Sequence, residues 1–297
     1  MGPIHGSRIT QKITKERNVA EVDVLMITYN RPHYTKLSLE RLIEASKGSD
    51  YKLWVWHNGT DTETLNLVRE FLRRGEIHNF INSEENKKLR DPTNWILRNS
   101  SARFISKVDD DCLVPLGWLS TLVDVHDRVK DLGVLGCWRF LPEDFNPEAA
   151  SKKLKHLYGE YQLLEHPWVE GSGFVMKRKC VEEVGVLRKN ESGVTSYFTR
   201  IARKGWRNGW LFPFLWQEHM DDPRAPNSSL RTDDDMKRYL PLSALNFGVQ
   251  SLLDWDKHLR ASAQKLQTQP SDPRYYSPWR KRARRLGTAC RKIVFRE

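Results

Sequence analysis

Val22-Asp23-Val24-Leu25-Met26-Ile27-Thr28-Tyr29-Asn30-Arg31-Pro32 is a short apolar run, rich in β-branched side chains, that stops in a polar loop and then meets a proline. Branched side chains pack well on a pleated surface, so the run predicts a buried strand. Pro32 suits the first turn of a helix, where its missing N–H costs nothing, and Leu37, Leu39, Leu42 and Ile43 give that helix an apolar stripe. Outward from this unit the alternation recurs. Residues 53–56 form a second strand stopped by His57-Asn58-Gly59, and Asp61 caps a helix carrying Leu65, Val68, Phe71 and Leu72 at helical spacing. Residues 77–81 form a third strand, and Asp91-Pro92 opens a helix through Trp95, Ile96 and Asn99. Residues 104–108 form a fourth strand that runs into Asp109-Asp110-Asp111, followed by a helix near 116–129 and a strand over 134–138.

Strands and helices that alternate with short connections predict an α/β, Rossmann-like single domain with a mainly parallel central sheet. Ligands of such sheets sit beyond the carboxyl ends of the strands. The polar loops 28–31, 57–61 and 109–111 all leave strand ends, so topology alone gathers them at one edge. Residues 139–167, with Pro142, Pro147 and Lys152-Lys153-Leu154-Lys155, break the rhythm and read as a flap or variable loop. Gly171-Ser172-Gly173 reads as a turn entering an apolar strand, and 194–204 as a helix. The aromatic stretch 206–216 reads half or more as core, while Trp138 and Trp168 are the expected acceptor-side aromatics.

The 297 residues carry 39% hydrophobic and 29% charged side chains, enough for a large core and unlike a disordered chain. No run of about 18 apolar residues is present, which rules out a conventional membrane-spanning helix. The first 25 residues hold no apolar signal segment, so a cytosolic protein is expected, with 1–20 a polar leader. The four cysteines, Cys112, Cys137, Cys180 and Cys290, have no zinc-like spacing and read as reduced, mostly buried side chains. Of the formal net charge of +11, the segment 274–297 contributes +8, through nine basic residues and one acid. Trp279, Ala283, Leu286, Cys290, Ile293 and Val294 fall broadly on one side of a helix there, with arginine and lysine over much of the rest. Such a tail fits an anionic membrane surface, and its ingredients also suit nucleic acid or packing against the body or a second subunit.

Three consecutive aspartates at a strand end repel one another unless a positive group joins them. A divalent metal held by hard carboxylate oxygens, Mn²⁺ or Mg²⁺, meets that need and brings phosphate oxygens with it; the bland alternative is an acidic turn that caps the following helix.

With these pieces in order, the chain resembles the family-2-like nucleotide-sugar glycosyltransferases of the A-type fold. Residues 23–31 are similar to that family's opening strand and Thr-Tyr-Asn-Arg loop, which hold the nucleobase. Residues 53–61 are similar to its second strand, with Asn58 and Gly59 matching and His57 where an acid is common. Lys107-Val108-Asp109-Asp110-Asp111 resembles the Asp-x-Asp motif, and Gly171-Ser172-Gly173 the turn that lines the donor sugar. The resemblance covers about 22–220 and implies a catalytic domain over 21–222, with a nucleotide-binding half 21–112 and an acceptor half 113–222. A C-terminal extension 223–297, helical and basic, follows. It further implies donor contacts from Thr28, Tyr29, Asn30, Arg31, Asn58, Asn86, Lys88, Asp109, Asp110, Gly171, Ser172 and Gly173, and metal contacts from Asp109, Asp111 and His219.

Inverting members carry Glu-Asp about eleven residues before a glycine. Here that place holds Gly193-Val194, so Glu191 and Glu170 are the candidate bases; a retaining outcome needs neither. The reading is a metal-dependent transfer of a sugar from a nucleoside diphosphate sugar, UDP-sugars first, to a hydroxyl of a glycan or lipid-linked glycan, with inversion, at the inner face of a membrane. Three alternatives stay open: sugar transfer onto a nucleic-acid base, a non-catalytic glycan- or nucleic-acid-binding protein on the same fold, and a nucleotidyltransferase, although the last needs a glycine-rich loop that 28–31 lacks.

Overall fold

The computed structural model describes residues 20–191, 193–239, 242–277 and 280. The basic tail and the leader fall almost wholly outside these residues. The first half follows the alternation: β1 (Val22–Thr28), α1 (Pro32–Ala45), β2 (Tyr51–Asn58), α2 (Thr62–Arg73), β3 (Asn79–Ser83), α3 (Arg90–Asn99), β4 (Phe104–Asp109), β5 (Cys112–Leu113), α4 (Trp118–Arg128) and β6 (Leu132–Gly136). Asp61 caps α2 as expected, its carboxylate accepting from the Thr64 N–H at 2.8 Å. The second half adds α5 (Pro147–Ala150), β7 (Leu154–Tyr158), β8 (Tyr161–Glu165), β9 (Phe174–Lys177), α6 (Arg178–Val184), α7 (Val194–Ala202), β10 (Arg207–Phe212) and β11 (Glu218–His219). The helices α8 (Asp233–Tyr239), α9 (Leu242–Asn246) and α10 (Leu252–Thr268) follow.

The main sheet has nine strands in the order β3-β2-β1-β4-β9-β6-β10-β8-β7. Strands β3, β2, β1 and β4 are parallel, as are β6 and β10. The expectation of a mainly parallel sheet is corrected by β9, which lies antiparallel between β4 and β6, and by β8 and β7, which add antiparallel beyond β10. The cause is local. The turn before β9 is hydrogen-bonded at the carboxyl edge, the Gly173 N–H donating to Lys107 O at 2.8 Å and the Cys137 N–H to Gly173 O at 2.8 Å. A strand that starts at that edge can only run back down the sheet. Likewise, the flap expected over 139–167 holds the β7–β8 hairpin, which extends the sheet.

Side chains alternate across the strands into two cores. Val24, Met26, Leu53 and Val55 join one cluster with Leu119 and Leu122 of α4, and Leu25 and Trp54 the other. This second cluster also takes Trp255, Leu259, Ala263 and Leu266 of α10, so the C-terminal helices share the core of the sheet. Cys112, Cys137 and Cys180 are buried and free, in line with the sequence; Cys290 lies outside the described residues.

Candidate active site

The strand registers bring the expected loops together: Thr28 lies opposite His57, and Ile27 opposite Asp109. Thr28 is buried, and its Oγ1 shares a 3.0 Å hydrogen bond with His57 Nδ1. Burial pushes the His57 pKa down, so this ring is neutral at pH 7. Asn58 spends its amide on the backbone of the next loop, accepting from Lys87 N–H at 3.0 Å and donating to Lys88 O at 3.0 Å. Asn86 and Lys88 are exposed there. Asn30, at φ 50°, and Tyr29 close over Gly59, where a Cβ would come within 2.9 Å of Asn30 Oδ1.

The three aspartates have separate surroundings. Asp109 is the most open, with its side chain 35% exposed, and pairs with the buried Lys107 ammonium. Lys107 Nζ also donates to Gly171 O at 2.7 Å, and the Asp109 N–H donates to Ser172 Oγ at 2.9 Å, so the glycine turn is tied to the end of β4. Asp110 accepts from the Tyr29 N–H at 3.0 Å and from Arg31 at 3.1 Å; burial raises its pKa to about 6 against the pull of Arg31. For Asp111, burial also opposes ionisation, but Arg31 at 2.9 Å and nearby His219 outweigh it and hold the carboxyl well below the usual range.

Arg31 therefore carries the charge balance that the sequence assigns to a metal. Its guanidinium meets Asp110, Asp111 and both oxygens of Asp221, at 3.0 and 2.9 Å to the last, with its central carbon 5.3 Å from the centre of the Tyr34 ring. Burial drives the Asp221 pKa up to about 7 despite that contact.

His219 arrives from 107 positions away along the chain through β11, which pairs antiparallel with β5 and sets His219 opposite Cys112. Its Nε2 lies 3.9 Å from Asp111 Oδ2. Burial and the nearby Arg139 push its pKa down to about 4, leaving a neutral imidazole at pH 7. Asp111, Cys112 and His219 offer ligand atoms within 4.8 Å of one another. Burial raises the Cys112 thiol well above its ordinary value, and its Sγ donates to Asp111 Oδ1 at 3.3 Å, so it acts here as a thiol partner of the carboxylate. The donor pair is then an ionised carboxylate and a neutral imidazole, with Asp109 on the same cavity wall. That set fits Mn²⁺, and through its oxygens Mg²⁺.

A cavity of about 400 Å³ opens over these groups, lined among others by Asp109, Asp111, Arg139, Trp168, Glu170 and His219. Glu170, 12% exposed, accepts from Trp210 Nε1 at 2.7 Å and lies 3.9 Å from Arg139 Nε. Burial raises its pKa, and Arg139 only partly counters this. Glu191 is differently placed. Arg200 grips it as a two-pronged fork at 2.8 and 3.0 Å, its pKa is lowered despite burial, and it faces a second cavity. Trp138, expected on the acceptor side, is fully buried and stacks on Phe214 at 4.7 Å; Trp168 does line the cavity.

Lys107, Arg139 and Asp221 carry no role in the sequence motifs. Arg139 had an available signal, since it directly follows a predicted strand, as the three polar loops do. Asp221 stands two places after His219. Lys107 sits inside the quoted Asp-x-Asp stretch.

The model of the glycosyl transferase family 2 matches residues 23–185, more than half of the chain. The chain belongs to that family. Among curated proteins none matches the sequence of this transferase significantly. Solved structures show the fold. The mannosyltransferase PcManGT from Pyrobaculum calidifontis, in complex with GDP-Man and Mn²⁺, is 17% identical at a TM-score of 0.57, over 94% of this chain and 82% of that one. S. aureus TarS 1-349 in complex with UDP-GlcNAc is 15% identical at 0.53, over 86% and 75%. GalNAc-T7 with UDP, GalNAc and Mn²⁺ is 13% identical at 0.52, over 69% and 44%. The family 2 transferase is thus an A-type glycosyltransferase enzyme. No helix among its described residues is long and apolar enough to cross a membrane.

Proposed function

We propose that this transferase moves a sugar from a nucleoside diphosphate sugar, UDP-sugars first, to a hydroxyl of a glycan or lipid-linked glycan, with inversion at the sugar carbon. The observation that carries the proposal is the placing of Glu170, a mostly buried carboxylate with a raised pKa, in one cavity with Asp109, Asp111 and His219. A base poised nearer neutrality is what proton abstraction from a hydroxyl needs. Glu191 is already saturated by Arg200, so Glu170 is the base of choice.

Asp109, Asp111 and His219 would hold Mn²⁺ or Mg²⁺, whose charge, when bound, offsets that developing on the leaving diphosphate. Glu170 takes the hydroxyl proton of the acceptor as the acceptor oxygen bonds to the sugar carbon and the bond from that carbon to the diphosphate breaks. Trp210 and Arg139 orient Glu170. The Gly171–Gly173 turn, tied to β4 by Lys107, closes the donor side, and the loops at 28–31, 58 and 86–88 bound the nucleotide. The relatives named above carry UDP, UDP-GlcNAc or GDP-Man, so the donor panel needs both bases. The domain limits 21–222 and 223–297 belong to this reading, as does attachment to an anionic membrane surface through the tail 274–297.

The test is a thermal-shift panel of nucleotide sugars with Mn²⁺, with Mg²⁺ and with EDTA. A metal-dependent rise with one nucleotide sugar is expected, since ligand that binds only the native state stabilises it by mass action. No rise with any of them would remove the proposal.

A further inference from the structure

A second cavity, of about 430 Å³, adjoins the first, and Trp168 and Thr195 line both. The charge in the two is arranged differently. The first holds the three carboxylates of Asp109, Asp111 and Glu170 with the two cations Arg139 and Lys265. The second holds Arg188, Arg200 and Arg203 against the single acid Glu191. Arg200 is spent: its guanidinium takes both oxygens of Glu191 and the carbonyls of Val184 and Val186. Arg188 and Arg203 are exposed at the cavity wall; Arg188 is near enough to Glu191 to help lower its pKa, and neither guanidinium makes a salt bridge or hydrogen bond within contact distance among the described residues. Thr195 lies in the first turn of α7, whose N-cap is Gly193 and whose first turn carries no acid, so the positive end of that helix adds to the same potential.

We infer that the second cavity is an acceptor subsite for an anionic group, a carboxylate or a phosphate carried by the acceptor chain near the hydroxyl that receives the sugar. The inference rests on the glycosyl-transfer reading and adds the chemical class of the acceptor. An acceptor that reaches Glu170 in the first cavity passes over Trp168, against which the apolar face of a sugar packs, and enters the second. There the exposed guanidinium groups of Arg188 and Arg203 can fork onto a planar carboxylate or a phosphate. A neutral glycan would leave both cations to water, whereas an anionic one is steered to them.

The full chain is titrated with hexagalacturonate, with its neutral methyl ester and with a glycerol phosphate hexamer. The expected result is that at least one acidic oligomer binds tenfold or more tightly than the ester, the tighter of the two showing whether carboxylate or phosphate is the natural group. The double variant Arg188→Gln/Arg203→Gln should bind the acid no better than the ester. Lys130→Gln/Lys179→Gln, which removes equal charge beside Phe104 at the amino end of β4, should keep the preference. Equal binding of acid and ester, no binding of either acid, or a preference that survives the Arg188/Arg203 change would overturn the subsite. Thermal shifts with UDP- and GDP-sugars plus Mn²⁺ on the same samples report the donor site separately. A lost acid preference with an intact donor shift overturns the subsite alone; a wild-type chain without any donor shift overturns the transfer reading with it.

Discussion

The Arg31 guanidinium lies 2.9 Å from Asp111 Oδ2, the same carboxylate oxygen that faces His219 Nε2 at 3.9 Å. A cation bound between Asp111 and His219 therefore shares that oxygen with Arg31. Asp221 and Asp110 hold the rest of the guanidinium, so it has partners to keep when Asp111 is shared with a metal.

Removing that guanidinium leaves three buried carboxylates without their common counter-charge. Arg31→Gln should destabilise the metal-free protein by about 3–5 kcal/mol, the range for breaking a buried ion pair from one side. Mn²⁺ should then raise the melting temperature of the variant more than that of the wild type, because it supplies the missing charge. Equal Mn²⁺ shifts in the two proteins would show that metal and Arg31 do not share Asp111.

Asp111→Asn keeps the shape of the side chain but removes the charge that pairs with a metal. Donor affinity measured by calorimetry should become the same with Mn²⁺ and with EDTA. Turnover should fall at least about 100-fold, roughly the loss of one strong electrostatic contact to the leaving group. Intact turnover in this variant would remove Asp111 from the metal site.

Glu170 has a pKa raised above the ordinary glutamate value by burial. It can accept a proton only when ionised, so kcat/KM should rise with pH through that raised pKa and fall away below it. Glu170→Gln should cost about 10²- to 10⁴-fold in rate and abolish this acid limb. Glu191→Gln, which loosens the grip of Arg200, should lower the melting temperature and leave the limb in place. An unchanged pH profile in Glu170→Gln would exclude it as the base.

Gly173 sits at φ 65°, and a Cβ there would run into the Oε1 of Gln217. Gly173→Ala should lose more than about 1 kcal/mol, since both the left-handed backbone and the collision oppose the methyl group. Chemical denaturation would measure it, and a neutral effect would mean that the turn at the end of β4 relaxes freely.

For the basic tail, each lysine or arginine near an anionic bilayer contributes about 1 kcal/mol. Co-sedimentation with anionic vesicles should exceed that with neutral vesicles and should vanish on truncation after residue 273. Equal recovery with both vesicles would separate the tail from any membrane role.

The order of elements from β1 to β6, apart from the two-residue β5, was legible because it rests on local signals: period-two and period-3.6 apolar patterns, Pro32 at a helix start, Asp61 at a cap; β5 exists only through its pairing with the distant β11. The edge where Thr28, Asn58 and Asp109 meet was legible for the same reason, since parallel strands with short connections place their carboxyl ends together. The direction of β9 was not, because it depends on hydrogen bonds from Gly173 to Lys107 across 66 positions of sequence. Nor was the charge balance. Three adjacent aspartates in a sequence say only that something positive must come near; that Arg31 and Lys107 do so is a matter of which side chains the packed strands point at them. The two glutamates make the same contrast. In the sequence Glu191 and Glu170 are both candidates, Glu191 first, and tertiary contacts reverse that order: Arg200 neutralises Glu191, while burial raises the pKa of Glu170. Pattern along a chain reports local backbone preference, whereas charge pairing and desolvation depend on distances across space, which folding alone decides.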